Sequence, residues 1–254
     1  MKEKTNQFIY GKNPVYEVLV KNPKRINKIY IQKGFSYDNR MRKIVQEADY
    51  RGIIVQHINL QKFDQYFDTK VNYQGVIASV STVETITLEE FLAIEKKGYR
   101  KLAALDRIQD PHNFGAIIRT LAAAGFDGVL IQNHRSAPIN SIVEKSSSGA
   151  INHIPIIKTT SLNNSLEELK KHDYWVIATD IEAQDNYFEI DYTDMNFIIV
   201  MGSEGEGISK TLLNKADYKV RIKTNFESLN VSVALGVIVY EAVRQIELKT
   251  FNKT

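Results

Sequence analysis

Apolar residues along the chain fall into short runs separated by stretches with helical spacing. Residues 14–20 and 38–50 carry the helical period, 28–32, 53–56 and 75–80 are strand-like, and 60–67 is a short amphipathic turn of helix. Polar and charged residues dominate 81–100, around a short helical stretch at 88–97. Beyond it, strands are predicted at 102–105, 128–132, 154–157, 175–179, 197–201 and 218–222. Helices are predicted between them at 114–124, 139–147, 162–171 and 208–215, with a last one over 231–247. Short apolar strands alternating with helices predict an α/β fold with a mostly parallel sheet covered on both faces. The expected organisation is a small α/β domain over residues 1–80, a linker over 81–100, and a second domain over 101–254.

The last helix is unusual. Val231, Val233, Leu235, Val237, Ile238, Val239, Tyr240 and Val243 leave it apolar nearly all round. Such a helix is expected to be buried on more than one side, by its own sheet and by a partner subunit.

Composition narrows the class. The 254 residues contain no Cys, which excludes a disulfide scaffold, a thiolate zinc site, an iron–sulfur cluster and a cysteine nucleophile. Hydrophobic residues make up 43% and charged residues 25%, as in ordinary globular proteins, so disorder is excluded. Apolar runs such as 197–201 fall far short of the ~20 residues of a membrane span. Residues 1–12 are polar without an apolar signal region, so a soluble cytoplasmic protein is expected. The five His residues show no metal-ligand spacing, and no metal is expected. The formal net charge of +3 is unevenly spread: residues 1–83 hold 14 Lys and Arg against 7 Asp and Glu, and the remainder 19 against 23. A basic first module points to a polyanion such as RNA, with Arg135 and Lys145 adding to it later in the chain.

Three loops at the ends of predicted strands carry the chemistry, at the sheet edge where parallel sheets bind ligands. The first, Asp106-Arg107-Ile108-Gln109-Asp110-Pro111-His112-Asn113-Phe114-Gly115, enters a helix carrying Arg119. Asn113 suits an N-cap, and Arg119 interrupts the apolar run of that helix, where a charge needs a partner or a task. The second, Gly202-Ser203-Glu204-Gly205-Glu206-Gly207, lacks the Lys-Ser/Thr pair of a phosphate loop. Its two carboxylates suit a neutral or cationic ligand, such as a nucleoside or a sulfonium. The third, Glu227-Ser228-Leu229-Asn230-Val231-Ser232, offers Ser228 or Asn230 as a helix cap, or both as polar contacts to a nucleoside.

Taken together, the three stretches resemble the three motifs of the SpoU/TrmH family of knotted RNA 2′-O-methyltransferases. Gln109 to Gly115 with Arg119 is similar to the first motif, Met201 to Gly207 to the second, and Ser228 to Ser232 to the third. Tyr10-Gly11-Lys12-Asn13-Pro14-Val15 and Tyr73-Gln74-Gly75-Val76-Ile77-Ala78 resemble the borders of the N-terminal substrate domain in the family's ribosomal-RNA branch. Lys12-Asn13 departs from an apolar-His pair frequent there, and the 222–229 loop is two residues shorter than in a guanosine-specific member.

The resemblance implies a C-terminal, mostly parallel α/β sheet with a deep trefoil knot, behind a small L30e-like N-terminal α/β domain. It implies S-adenosylmethionine as cofactor, contacted at Gly202, Ile222 and Leu229. Arg119, Asn113, Glu204, Ser228 and Asn230 match the family's active-site positions. The substrate implied is ribosomal RNA, with a ribose of large-subunit (23S) RNA, a guanosine, as target and a homodimer formed through the C-terminal helix. Rivals are a transfer-RNA enzyme or an antibiotic-resistance ribosomal-RNA enzyme of the same fold, or a non-catalytic RNA-binding assembly factor. The assembly factor would not need all five polar residues. A dinucleotide-binding oxidoreductase is weaker still, because no strand is followed by G-x-G-x-x-G.

Overall fold

The structure, a computed structural model, describes residues 7–66 and 71–252. It divides into two compact units, residues 1–84 with 138–153, and residues 85–137 with 154–254.

In the first unit, strands β1 (Gln7–Tyr10), β2 (Ile26–Gln32), β3 (Val55–Ile58) and β4 (Val76–Val80) form a mixed sheet in the order β1-β4-β2-β3. The strand β1 was not predicted from the sequence. It is a four-residue edge strand held antiparallel to β4, and only Ile9 and Tyr10 are buried. Helices α1 (Lys12–Lys21) and α2 (Asn39–Tyr50) cover one face, where Val15, Val18, Met41 and Ile44 meet Ile29, Ile31 and Ala78. The other face holds Tyr10, Ile58, Phe63, Tyr73 and Ile77, with the short helix α3 (Leu60–Phe63) supplying Phe63. Residues 67–70, the end of the predicted 60–67 turn onward, lie outside the described residues.

The second unit starts earlier than a linker over 81–100 implies. Ile86 bridges to Ile157, a capping box between Thr87 and Glu90 opens α4 (Leu88–Leu92), and Phe91 is buried in the core. The helix expected at 88–97 is present over 88–92 only, pinned by a single aromatic ring. Seven strands follow: β5 (Lys101–Leu105), β6 (Gly128–Gln132), β7 (Ile156–Thr159), β8 (Tyr174–Thr179), β9 (Asp185–Asn186), β10 (Asn196–Met201) and β11 (Tyr218–Arg221). Their order is β7-β6-β5-β10-β8-β11-β9, and every pairing is parallel. Between them run α5 (Pro111–Ala123), α7 (Leu162–Lys171) and α8 (Lys210–Leu213), and α9 (Val231–Phe251) ends the chain. Leu102, Ala104, Val176 and Val200 share one cluster with Leu162, Leu166 and Leu169 of α7. The alternate residues Ala103, Leu105, Ile177 and Ile199 are equally buried, so both faces are covered, as the continuous apolar runs foretold.

The domain bounds expected from the sequence differ here at one segment. The segment holding α6 (Ser141–Ser146) joins the first unit by its contacts, although it connects β6 to β7. Glu144 on α6 is fully buried and accepts a 2.7 Å hydrogen bond from Arg25 of the first unit. Within the chain, α9 is buried along one side only: Val231, Leu235, Ile238, Val239 and Ala242 face inward. On its outer side Val233 and Tyr240 are each 52% exposed and Phe251 is 78% exposed.

Candidate active site

Because the strands of the second unit run in parallel, their carboxyl ends share one edge. The loops after β5, β10 and β11 all leave from it. Asp110, with Pro111 at the first helical position, caps α5: its carboxylate accepts from the His112 and Asn113 amides, both at 3.1 Å. Asn113 is therefore not the N-cap that the sequence suggested. Its side chain is released for another partner, and the Asp-Pro pair was the available signal.

That partner is Glu204. Asn113 Nδ2 donates to Glu204 Oε1 at 3.0 Å, and Asn230 Nδ2 donates to the same oxygen at 2.8 Å and to Asn113 Oδ1 at 2.9 Å. One residue from each loop thus meets in a closed triangle. Asn230 also caps α9, its Oδ1 accepting from the Ser232 amide at 2.9 Å and the Val233 amide at 3.4 Å. Capping and site-building were alternatives in the sequence; here one amide does both, its oxygen facing the helix and its nitrogen the triangle.

The glycine-rich loop is shaped by its own turn. A backbone bond from Gly207 N to Ser203 O at 3.0 Å closes it, and Gly205 and Gly207 adopt positive φ. A Cβ at Gly202 would lie 2.0 Å from the Gly207 carbonyl carbon, so only glycine allows the loop to fold back. Arg107, not singled out from the sequence as a site residue, fastens this loop to the one after β5. Its guanidinium pairs with Glu206 and donates to Gly207 O at 3.2 Å, from a backbone at φ 60°. Buried Asp106 holds the same loop by accepting from the Ser209 amide at 2.9 Å. A charged pair directly after an apolar strand was the signal for both. Together these loops enclose a cleft of 210 Å³, with Arg107, Gln109, Asp110, Asn113, Ser203 and Glu204 as its polar wall and Ile108 and Val231 as its apolar one.

The remaining predicted residues stand apart from the triangle. Arg119 lies on the exposed side of α5, away from the buried Phe114, Ile117, Ile118 and Leu121. It does not interrupt the packed stripe, and among the described residues its guanidinium has no hydrogen bond or ion pair. Ser228 is exposed and caps nothing, Leu229 is 39% exposed, and Ile222 is half-buried. Among the described residues no three His, Asp or Glu side chains are grouped to hold a metal. No described helix is long and apolar enough to cross a membrane.

Residues 101–240, the whole of this sheet and its three loops, match the SpoU rRNA methylase family. The chain belongs to that family. Residues 8–86 also match the RNA 2′-O ribose methyltransferase substrate-binding domain. A relative from Staphylococcus haemolyticus, named as a TrmH family tRNA/rRNA methyltransferase, is 36% identical over 241 residues, covering 93% of this chain and 95% of its own length. An AdoMet-bound rRNA methyltransferase from Sinorhizobium meliloti shares the fold at TM-score 0.78 and 24% identity, over 95% of this chain and 88% of that one. The SpoU methyltransferase AviRb from Streptomyces viridochromogenes aligns at TM-score 0.79 and 19% identity, over 96% and 91% of the two chains.

A SpoU methyl donor with a sulfonium centre fits what the site offers. Glu204 supplies negative charge, and Ile222 and Leu229 keep partly exposed apolar side chains.

Proposed function

We propose that this SpoU-family enzyme transfers the methyl group of S-adenosylmethionine to a ribose 2′-hydroxyl of large-subunit ribosomal RNA, a guanosine being the expected target. The carrying observation is the Asn113–Glu204–Asn230 triangle, which unites the three motif loops around a cleft. The matches of residues 8–86 to a substrate-binding domain and of residues 101–240 to a methylase family support RNA as substrate over a purely binding role.

When bound, the cofactor supplies an already activated methyl group, so the protein's task is positioning and charge stabilisation. Gly202, Ile222 and Leu229 hold the cofactor, chiefly through backbone and apolar contacts. Asn113 and Asn230 fix the Glu204 carboxylate by donating to one of its oxygens, leaving the other for ligand. Arg119 stays protonated, binds the phosphate beside the target ribose and stabilises the alkoxide as the 2′-oxygen loses its proton. Ser228, exposed next to Leu229, orients the nucleotide. The resemblance further supports a trefoil knot through the C-terminal segment, a cytoplasmic location, and a homodimer built on the outer apolar side of α9.

Incubating the purified protein with methyl-labelled S-adenosylmethionine and unmodified ribosomal or transfer RNA tests the reading. Label in a ribose of large-subunit RNA is the expected outcome. Label in transfer RNA alone would establish the second reading, a transfer-RNA methyltransferase, to which the tRNA/rRNA naming of the relatives applies equally. No label in either would overturn both.

A further inference from the structure

The cleft is polar for a site that must present one nucleotide to a methyl donor. Among the described residues its lining contains no aromatic ring. An RNA base taken out of its stack loses the neighbours that covered its faces, and proteins that select such bases replace them with aromatic side chains.

One ring is placed to do so. Phe226 is 89% exposed, more than any other large apolar side chain described. Among the described residues it makes no ring contact, so its own fold gains nothing from it. It sits four residues before Asn230, whose side chain is fixed in the triangle, so it is tethered within about 14 Å of Glu204's partner. Lys223, exposed in the same loop, adds a cation for a flanking phosphate. A solvent-facing ring and an ammonium on one loop are the two elements with which proteins hold single-stranded RNA.

We propose that Phe226 is an RNA-positioning residue that stacks on an unstacked RNA base, the target or its immediate neighbour, at the mouth of the cleft. This rests on the RNA methyltransferase reading above and adds the residue that receives the base. Leu229, three residues on, belongs to the cofactor side of the same loop, so the loop serves both ligands.

The test compares Phe226→Ala, Phe226→Leu and Phe226→Trp in the full-length protein, with ribosomal RNA transcripts and labelled S-adenosylmethionine. Removing a stacking ring should lower kcat/KM for RNA roughly tenfold or more, mainly through KM. Phe226→Leu should fail like Phe226→Ala, and Phe226→Trp should recover most of the loss. Cofactor affinity, measured by equilibrium dialysis without RNA, should change less than about twofold, an ordinary surface-substitution effect. Equal activity of Phe226→Ala, full activity of Phe226→Leu, or a parallel loss of cofactor affinity would each overturn the assignment. An inactive parent protein would instead overturn the methyltransferase reading on which it stands.

Discussion

Asn230 Nδ2 lies 2.8 Å from Glu204 Oε1 while Asn230 Oδ1 caps the final helix, so one side chain couples helix α9 to the glycine-rich loop. The two roles can be separated. Asn230→Asp keeps an oxygen for the cap, and Asp is as good a cap as Asn, so thermal stability should hardly change. It replaces a donor with a second carboxylate facing Glu204, and methyl transfer should fall at least about tenfold through loss of one oriented donor. Asn230→Ala should lose both the activity and about 1 kcal/mol of stability. Calorimetry and label transfer on the pair of variants read the two effects independently; an active Asn230→Asp protein would remove this amide from the site.

Arg119 calls for a different expectation. Being exposed and without a partner among the described residues, it can be changed without unfolding α5. Arg119→Ala should abolish methylation with a melting temperature and cofactor affinity close to those of the parent. Arg119→Lys should also fail, since an ammonium does not reproduce the planar fork that grips a phosphate. Turnover preserved in either variant would place phosphate binding elsewhere.

Gly202→Ala should be the most damaging single methyl addition in the site. The new Cβ would meet backbone atoms of Gly207 and Ile208 at 2.0–2.3 Å, and backbone cannot swing aside as a side chain can. The 202–207 loop must then open, carrying Ser203 and Glu204 out of position. Loss of both cofactor binding and activity is expected, whereas Gly205→Ala, with open space around its Cβ, should strain only its positive φ.

What the sequence made legible follows from how each element is stabilised. Strands β5, β6 and β10 are buried on both faces and therefore appear as uninterrupted apolar runs, found to within one residue. Strand β1 depends on two buried residues, Ile9 and Tyr10, beside partly exposed neighbours, a pattern that local periodicity does not separate from a loop, whereas helix α4 was expected but ends five residues sooner. Asn113 and Glu204 were each singled out by motif, but their contact was not, because Glu204 lies 91 residues away and becomes a neighbour only through sheet order. The tie between residues 138–153 and the first unit was illegible for the same reason: Glu144 reads as one more surface acid in α6, and only its pairing with Arg25 makes it a core residue.

That pair gives its own prediction. Burial pushes the Glu144 carboxyl above its ordinary range, and Arg25 opposes the shift through charge and hydrogen bonding. Arg25 also donates to Asn152 Oδ1 at 2.5 Å and Ser81 O at 3.0 Å, so its removal strands several acceptors. Arg25→Ala should cost about 3–5 kcal/mol, the usual result of leaving one buried charge without its partner. Replacing both, as Arg25→Met with Glu144→Leu, should recover most of that loss. For Glu144 alone the raised pKa means that the folded state binds the proton more tightly than the unfolded one. In the Arg25→Ala variant the lowering contribution is gone, so stability should rise as pH falls toward the ordinary carboxylate range and be lowest above the folded pKa. Denaturant titrations of the single variant at several pH values check the sign; stability rising with pH would show that Glu144 is not buried as an acid.

Helix α9 leaves the question of what covers its outer side. Val233, Tyr240 and Phe251 are more than half exposed, and with Leu248 at 49% they line up along one face of the helix, opposite the buried Leu235, Ile238 and Ala242. A side chain already in solvent can be charged without disturbing the fold, so Val233→Glu with Tyr240→Glu should give a protein that melts like the parent. If a second copy covers this face, the same two carboxylates would be buried against apolar surface and association should fail. Sedimentation equilibrium should then find the parent as a dimer and the double variant as a folded monomer, with reduced methyl transfer. Ile238→Glu serves as the contrast: being fully buried within the chain, it should unfold the protein rather than merely dissociate it. A double variant that stays dimeric would place the subunit contact on another surface.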